Sequence, residues 1–143
     1  MKVMIFVKAT KQTEAGQTPP TEEALLAMHK FNEELQKAGV LLDLGGLTPT
    51  NRGVRVQYRG SKRTVIDGPF AEAKELIAGY WIWQVKSKEE AIEWVKRCPN
   101  PHQGEAEIEI RQVFEAEDFG SELTPELRKG EERLRAQVAA KKP

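Results

Sequence analysis

The 143-residue chain has one cysteine, two histidines, no excess of charge of either sign and no long apolar run. A single cysteine excludes an internal disulfide, and no segment approaches the roughly 20 apolar residues that span a bilayer. The 22 basic and 22 acidic residues argue against nucleic-acid or polybasic membrane binding, since both require a basic surface. We therefore expect a soluble, cytoplasmic protein without a direct nucleic-acid or membrane partner.

The same scarcity argues against metal and cofactor chemistry. The two histidines are far apart in the chain, and Cys98 lies in an apolar helical stripe, so no metal-ligand spacing is present. The sequence also lacks a glycine-rich phosphate loop, a serine elbow and a dinucleotide fingerprint. We predict neither a metal ion nor a cofactor, and we expect Cys98 to be a packed, inert thiol.

Apolar periodicity and turn residues predict the following elements. The principal strands are 1–8, 40–44, 80–85 and 107–114, and the two long helices are 21–37 and 88–98. A polar loop is expected at 10–20, a hairpin at 52–58 and 62–66, a short helix at 71–78 stopped by Gly79, and an exposed terminal helix at 126–139.

This order predicts an α+β fold, namely a ferredoxin-like split β-α-β antiparallel sheet with an inserted hairpin. We expect a domain over residues 1–115 and a charged helical extension over 116–143. Two helices cover only one face of such a sheet, whereas Met4 and Phe6 place apolar side chains on the other. A second copy is the natural cover, so we predict a face-to-face homodimer.

Several motifs appear in a characteristic order. They are AGVLLDLGGLTP at 38–49, DGPFAEAKE at 67–75, GYWIWQV at 79–85, KEEAIEWVKRCP at 88–99 and EIEIRQV at 107–113. Together, over roughly residues 1–115, they resemble the YCII-related or DGPF-domain family, although Gln112 stands where that family often has proline. The resemblance implies a dimeric α+β barrel with a cavity between the sheet and its partner. It implies little about chemistry, and some members look like appendages to sigma factors.

Two residues are candidates for proton transfer. Asp67 precedes Gly-Pro, so its carboxylate either caps the turn or acts as a base at a cavity mouth. His29 lies on the flank of the first long helix and titrates in a suitable range, unless it is only a surface histidine. In some YCII-related proteins a helical histidine paired with an aspartate looks like a catalytic dyad, and Asp43 is the nearest analogue of that aspartate in position. Asn32 lies closer to the apolar face than His29, whereas His102 is predicted to be solvent-exposed.

Five further residues are candidates for ligand binding. Strand alternation predicts that Arg55, Glu109 and Arg111 share the sheet face opposite the helices. The planar fork of an arginine suits a carboxylate or phenolate, although cross-strand ion pairs would explain the same pattern. Lys74 and Glu75, beside the DGPF motif, either belong to this site, form an ion-pair network or are only solvated.

We therefore predict an uncharacterised YCII-related protein that binds a small polar or aromatic metabolite in a cavity at the dimer interface. Cofactor-independent lyase or isomerase chemistry would follow if a carboxylate or imidazole acts as a base. The alternative is a non-catalytic regulatory or interaction module of the sigma-factor-associated type. An enzyme requires a preformed cavity that holds an acid-base group close to the arginines, whereas a module would fill that space with Trp and Phe.

Overall fold

The computed structural model describes residues 1–16 and 19–141. The strands are β1 (Lys2–Lys8), β2 (Leu41–Gly46), β3 (Val54–Arg59), β4 (Lys62–Asp67), β5 (Ile77–Gln84) and β6 (Ile108–Gln112). The helices are α1 (Lys11–Ala15), α2 (Glu22–Lys37), α3 (Lys88–Arg97) and α4 (Pro125–Ala140). The chain divides into two compact units, Met1–Gln112 and a second that starts at Val113 and contains α4. None of the helices within the described ranges is long and apolar enough to cross a membrane.

The first unit is built on a four-stranded antiparallel sheet in the order β2-β5-β1-β6. Helix α2 connects β1 to β2, and helix α3 connects β5 to β6. The two outer strands of the sheet are therefore each separated by a helix from the central strand that precedes them. This is the split β-α-β arrangement predicted from the sequence, and the α+β fold class is confirmed.

The core lies between this sheet and its helices. Val3, Ile5 and Trp83 are almost completely buried, and the register pairs Val3 directly with Trp83. Phe31 of α2 packs edge-on against three tryptophans, with ring centroids 6.0 Å from Trp81, 6.4 Å from Trp83 and 6.2 Å from Trp94. Edge-to-face packing of this kind adds to the stabilisation from apolar burial, because the positive ring edge meets a negative ring face.

Side-chain caps fix where the three long helices begin. The hydroxyls of Thr21, Ser87 and Thr124 accept hydrogen bonds from the backbone N–H three residues further on. Each cap satisfies one of the amides that the first helical turn leaves without a partner. The starts that the sequence predicted for α2, α3 and α4 are therefore confirmed.

Two local predictions were wrong. The expected polar loop at 10–20 contains α1, which Thr10 and Thr13 start with a reciprocal capping box; Gln17 and Thr18 lie outside the described residues. The expected helix at 71–78 is only a 3-10 turn at Ala73–Glu75, after which β5 begins at Ile77. Pairing of β5 with strands on both sides overrides the helical propensity of this segment.

The predicted hairpin is present, but it does not join the main sheet. Strands β3 and β4 pair only with each other in the part of the chain that the structure describes, and all of their residues are exposed. The prediction that Arg55 shares a sheet face with Met4 and Glu109 was therefore wrong. Alternation predicts which side of its own strand a residue occupies, but not which sheet the strand enters.

Candidate functional site

A cavity of about 560 Å³ lies between the N-terminal half of α2 and the sheet end where β1, β2 and β5 meet. The segment around α1 and the loop 100–103 complete its wall. Small-molecule sites commonly enclose roughly 300–1,000 Å³. We call this space the α2 cavity.

Two glycines form part of the floor of the α2 cavity. Gly46 on β2 pairs directly with Gly79 on β5, and both line the cavity. Their register places them on the same sheet face as Leu44 and Trp81, which are the next pair on that face. A Cβ added to Gly46 would meet no atom within 4 Å. A Cβ added to Gly79 would lie 3.2 Å from the Gly45 carbonyl oxygen, so this glycine allows close approach of the β2 backbone. The cavity is therefore open at Gly46, where a larger side chain would otherwise enter the layer between sheet and helix.

The apolar stripe of α2 serves both this cavity and the core. Phe31 and Leu35, in the second half of the helix, are buried, as the predicted stripe requires. Leu25 and Met28, in the first half, line the cavity. Leu25 is 56% exposed for this reason, since it faces open space rather than packed side chains.

Asn32 supplies an oriented amide to the cavity wall. Its Oδ1 accepts a hydrogen bond of 2.8 Å from Nε1 of Trp81. Because an indole N–H only donates, this contact assigns the oxygen of the amide to Trp81. The Nδ2 group makes no hydrogen bond within the described residues, so its two protons remain available to a ligand.

His102 is the second oriented group. Its Nε2 lies 2.8 Å from the backbone oxygen of Lys8. A carbonyl oxygen only accepts hydrogen bonds, so Nε2 carries the proton and Nδ1 of the neutral ring is an acceptor. The loop is held by Asn100, whose side chain accepts from the His102 N–H and donates to the Gly104 carbonyl. The prediction that His102 is solvent-exposed was wrong, because the ring is half-buried against β1.

The described lining carries no full charge. Apolar side chains and the polar groups of threonine, glutamine, asparagine, tyrosine and histidine form the wall, without lysine, arginine, aspartate or glutamate among the described lining residues. The titratable side chains in that set are His102 and Tyr80. The cavity thus contains an imidazole, as an acid-base site requires, but the predicted arginines do not line it.

The structure does not bring His29 and Asp43 together as a dyad. His29 is exposed, and its Nε2 lies 3.1 Å from the carboxylate of Glu33 one helical turn further on. The Asp43 carboxylate accepts a hydrogen bond from the adjacent Leu44 N–H. Asp43 pairs with Ile82 on the sheet face opposite the buried Trp81 and Trp83, so it lies on the side of the sheet away from α2.

The candidates around the DGPF motif are also outside the cavity. Asp67 is exposed at the end of β4, and its carboxylate accepts no hydrogen bond from the described residues. The guanidinium of Arg55 lies 3.9 Å from the ring centroid of Phe70, a cation–π contact. Lys74 and Glu75 are exposed and form no ion pair within the described ranges.

The DGPF turn itself is packed against the segment before the hairpin. The Thr50 hydroxyl donates to the Glu14 carboxylate at 2.6 Å and accepts from the Phe70 N–H at 3.0 Å. Gly68 donates its N–H to the Gly53 carbonyl, and a Cβ on Gly68 would overlap the Thr50 carbonyl. The glycine of the motif is required by this close backbone approach. The arrangement indicates a structural role for the turn.

Glu109 and Arg111 lie on the sheet face opposite the helices, as predicted. The Glu109 carboxylate is 3.0 Å from the Lys8 ammonium and 3.3 Å from the Arg111 guanidinium. The hydrogen bond from Lys8, followed by that from Arg111, lowers the pKa of Glu109 below its usual value. The Lys8–Glu109 pair is a cross-strand ion pair, which is the alternative that the sequence leaves open, whereas the Arg111–Glu109 pair lies within β6. A role of Glu109 and Arg111 in ligand binding stays a prediction.

Cys98 is half-buried at the end of α3. Burial raises the pKa of its thiol to about 11, which keeps the reactive thiolate scarce at neutral pH.

Sequence reasoning does not place His102, Gly46 and Gly79 at a common site. His102 is held by a carbonyl 94 residues away in the chain. Gly79, which in sequence marks the end of the predicted 71–78 helix, lies within β5, and Gly46 is the last residue of β2. A glycine directly before an aromatic strand, as in GYWIWQV, is compatible with either interpretation.

The sheet order and the connections define an α+β domain of the ferredoxin-like class. The family profile of the YCII-related domain matches residues 1–117, and the chain belongs to this family. An uncharacterised protein of Rhizobium meliloti (strain 1021) is 25% identical over 101 residues, which are 71% of this chain and 82% of that protein. The chain is also similar to the solved structure of 5-chloro-2-hydroxyhydroquinone dehydrochlorinase from Burkholderia phenoliruptrix in complex with 2,5-dihydroxybenzoquinone. That likeness has 14% identity and a TM-score of 0.46, and covers 82% of this chain and 98% of the other.

Proposed function

We propose that this chain binds a small, uncharged ring compound with hydroxyl or carbonyl groups in the α2 cavity. The observation that carries the proposal is a space of about 560 Å³ whose described lining is apolar, amide, hydroxyl and imidazole, without a lysine, arginine, aspartate or glutamate. A charged ligand would lose its hydration here without gaining an ionic partner, which is costly. An uncharged ligand meets no such penalty.

The wall offers both kinds of contact that such a ligand needs. Leu25, Met28 and Trp81 present aliphatic, thioether and aromatic surface to a ring. Asn32 and His102 present one oriented donor and one oriented acceptor. Few oriented polar groups on a mostly apolar wall are typical of a small-molecule site.

Three probes of one shape and different charge test this proposal: benzyl alcohol, benzoate and protonated benzylamine. We expect benzyl alcohol to raise the melting temperature and to show saturable heat in calorimetry. Benzoate and benzylamine should bind at least about tenfold more weakly, a difference of roughly 1.4 kcal/mol. Equal or stronger binding of either charged probe would contradict the proposal. A folded protein that none of the three stabilises would favour the alternative of a non-catalytic interaction module.

We also propose that two copies of this chain form a homodimer. Met4, Phe6 and Ile82 lie together on the sheet face opposite the buried tryptophans, and each retains some exposure; we call them the outer face. Burying them against a second copy would stabilise the pair by roughly 25 cal/mol per Å² of apolar surface. Sedimentation at micromolar concentration should give twice the 16.1-kDa chain mass, and Phe6→Glu should give single chains. A wild-type protein that sediments as one chain at all concentrations would contradict the dimer.

A further inference from the structure

We propose that His102 is the general base of the α2 cavity and removes a proton from a carbon next to the carbonyl group of a bound ring ketone. Asn32 donates a hydrogen bond to the carbonyl oxygen in the same step. This inference rests on the proposed function, because the ketone must first occupy the cavity.

The hydrogen bond to β1 makes His102 suitable for this role. The Lys8 carbonyl fixes the proton on Nε2 at 2.8 Å and leaves the lone pair of Nδ1 free within the described residues. The backbone of β1 therefore orients the base.

Asn32 provides the complementary group. Its oxygen is occupied by Nε1 of Trp81, so the group it offers to the cavity is the Nδ2 donor. A donor at this position binds a carbonyl oxygen and gains strength as negative charge develops there. Base and donor are each anchored by one hydrogen bond, which reduces the reorganisation needed during the reaction.

The proposed step balances without an oxidant, metal or second substrate. The C–H bond breaks, and its proton forms a bond to Nδ1 of His102. The electron pair of that bond becomes the carbon–carbon double bond of an enolate, and the carbonyl electrons move to the oxygen that Asn32 contacts. Return of the proton to the oxygen or to a carbon of the ring completes a keto–enol isomerisation.

The test follows exchange of the α-protons of cyclohexanone in deuterated water by proton NMR, with binding of the same ketone measured in parallel by calorimetry. We expect the wild-type protein to accelerate exchange above the buffer rate. His102→Gln should lower that acceleration at least about 100-fold, the usual minimum contribution of a positioned base. Cyclohexanone should still bind to this variant. Asn32→Asp, which keeps an oxygen for Trp81 but removes the donor, should also slow exchange.

His29→Gln is the matched control, because it removes the exposed histidine outside the cavity. Its exchange rate should equal that of wild type. Binding without accelerated exchange, or equal exchange by His102→Gln, would overturn the base and leave the proposed function intact. Absence of cyclohexanone binding to wild type would overturn the base as well, and it would contradict the proposed function only if benzyl alcohol also fails to bind.

The tautomer of His102 can also be measured in the wild-type protein, without any variant. Nitrogen-15 NMR of the histidine rings distinguishes the two neutral tautomers. We expect the Nε2–H form for His102 in the absence of ligand. The Nδ1–H form would overturn the assignment of this residue as the base.

Discussion

The two ends of the layer between α2 and the sheet are filled differently. At one end, Phe31 and Leu35 of the helix pack on Trp83, and all three are at most 4% exposed. At the other end, the same helix faces the glycine pair Gly46 and Gly79, and a cavity of about 560 Å³ remains. One helix and one sheet thus supply both a packed core and a binding space.

This difference shows how a small α+β domain gains a cavity without giving up its stability. Tryptophan–phenylalanine packing at the filled end stabilises α2, so the open end does not need to do so. The absence of a side chain at Gly46 leaves space, while the ladder of backbone hydrogen bonds continues through β2 and β5. The cavity is therefore a feature of strand pairing rather than of loop length.

The largest difference in unfolding free energy is expected when one side chain is truncated at each end of the layer between α2 and the sheet. Phe31→Ala should lower the free energy of unfolding by about 3–5 kcal/mol, because it leaves a void among three tryptophans. Leu25→Ala, on the same helix, should cost less than about 1 kcal/mol, because that side chain is already 56% exposed. Urea unfolding measures both. Equal losses would show that the two ends are packed alike.

The two tryptophans of β5 differ in the hydrogen bonding of their indole N–H groups. Nε1 of Trp81 is bonded to Asn32, whereas the buried Nε1 of Trp83 has no partner among the described residues. Both changes to phenylalanine remove similar volume, but only Trp81→Phe removes a hydrogen bond. We expect it to cost about 1 kcal/mol more than Trp83→Phe in urea unfolding. A larger loss for Trp83→Phe would contradict this assignment.

The ion pairs of Glu109, on the sheet face away from α2, should give the smallest effect. Since the ion pairs lower the pKa of Glu109 in the folded state, their stabilisation is fully present above the ordinary carboxyl pKa. It is lost as the pH falls through the lower pKa of the folded protein. The deficit of Glu109→Gln relative to wild type should therefore be constant at neutral pH and shrink as the pH falls below the ordinary carboxyl range. A deficit that grows on acidification would contradict the lowered pKa.

The sequence was sufficient for the filled end because its signals are local. The apolar stripe ending in Phe31 and Leu35, and the Ser87 cap, depend on residues within a few turns of each other. The alternation in β1 likewise predicts that Val3 and Ile5 share one face of the strand, and both are buried.

The open end could not be predicted because its determinants are distant in the chain. The pairing of Gly46 with Gly79 and the contact between His102 and Lys8 exist only after the strands assemble. A glycine has no side chain whose polarity would predict the residue it pairs with on a neighbouring strand. It also interrupts helical patterns and apolar alternation equally.

A side chain added at Gly46, on the floor of the α2 cavity, tests whether this cavity is the ligand site. Gly46→Met places a side chain where a Cβ meets only open space, whereas the control Gly130→Met adds the same side chain on α4 outside the cavity lining. The measurement is calorimetric titration of both variants and wild type with benzyl alcohol. We predict that Gly46→Met binds at least about tenfold more weakly while its unfolding free energy is unchanged or up to about 2 kcal/mol higher, and that Gly130→Met binds like wild type. Undiminished binding of benzyl alcohol by folded Gly46→Met would contradict the α2 cavity as the ligand site.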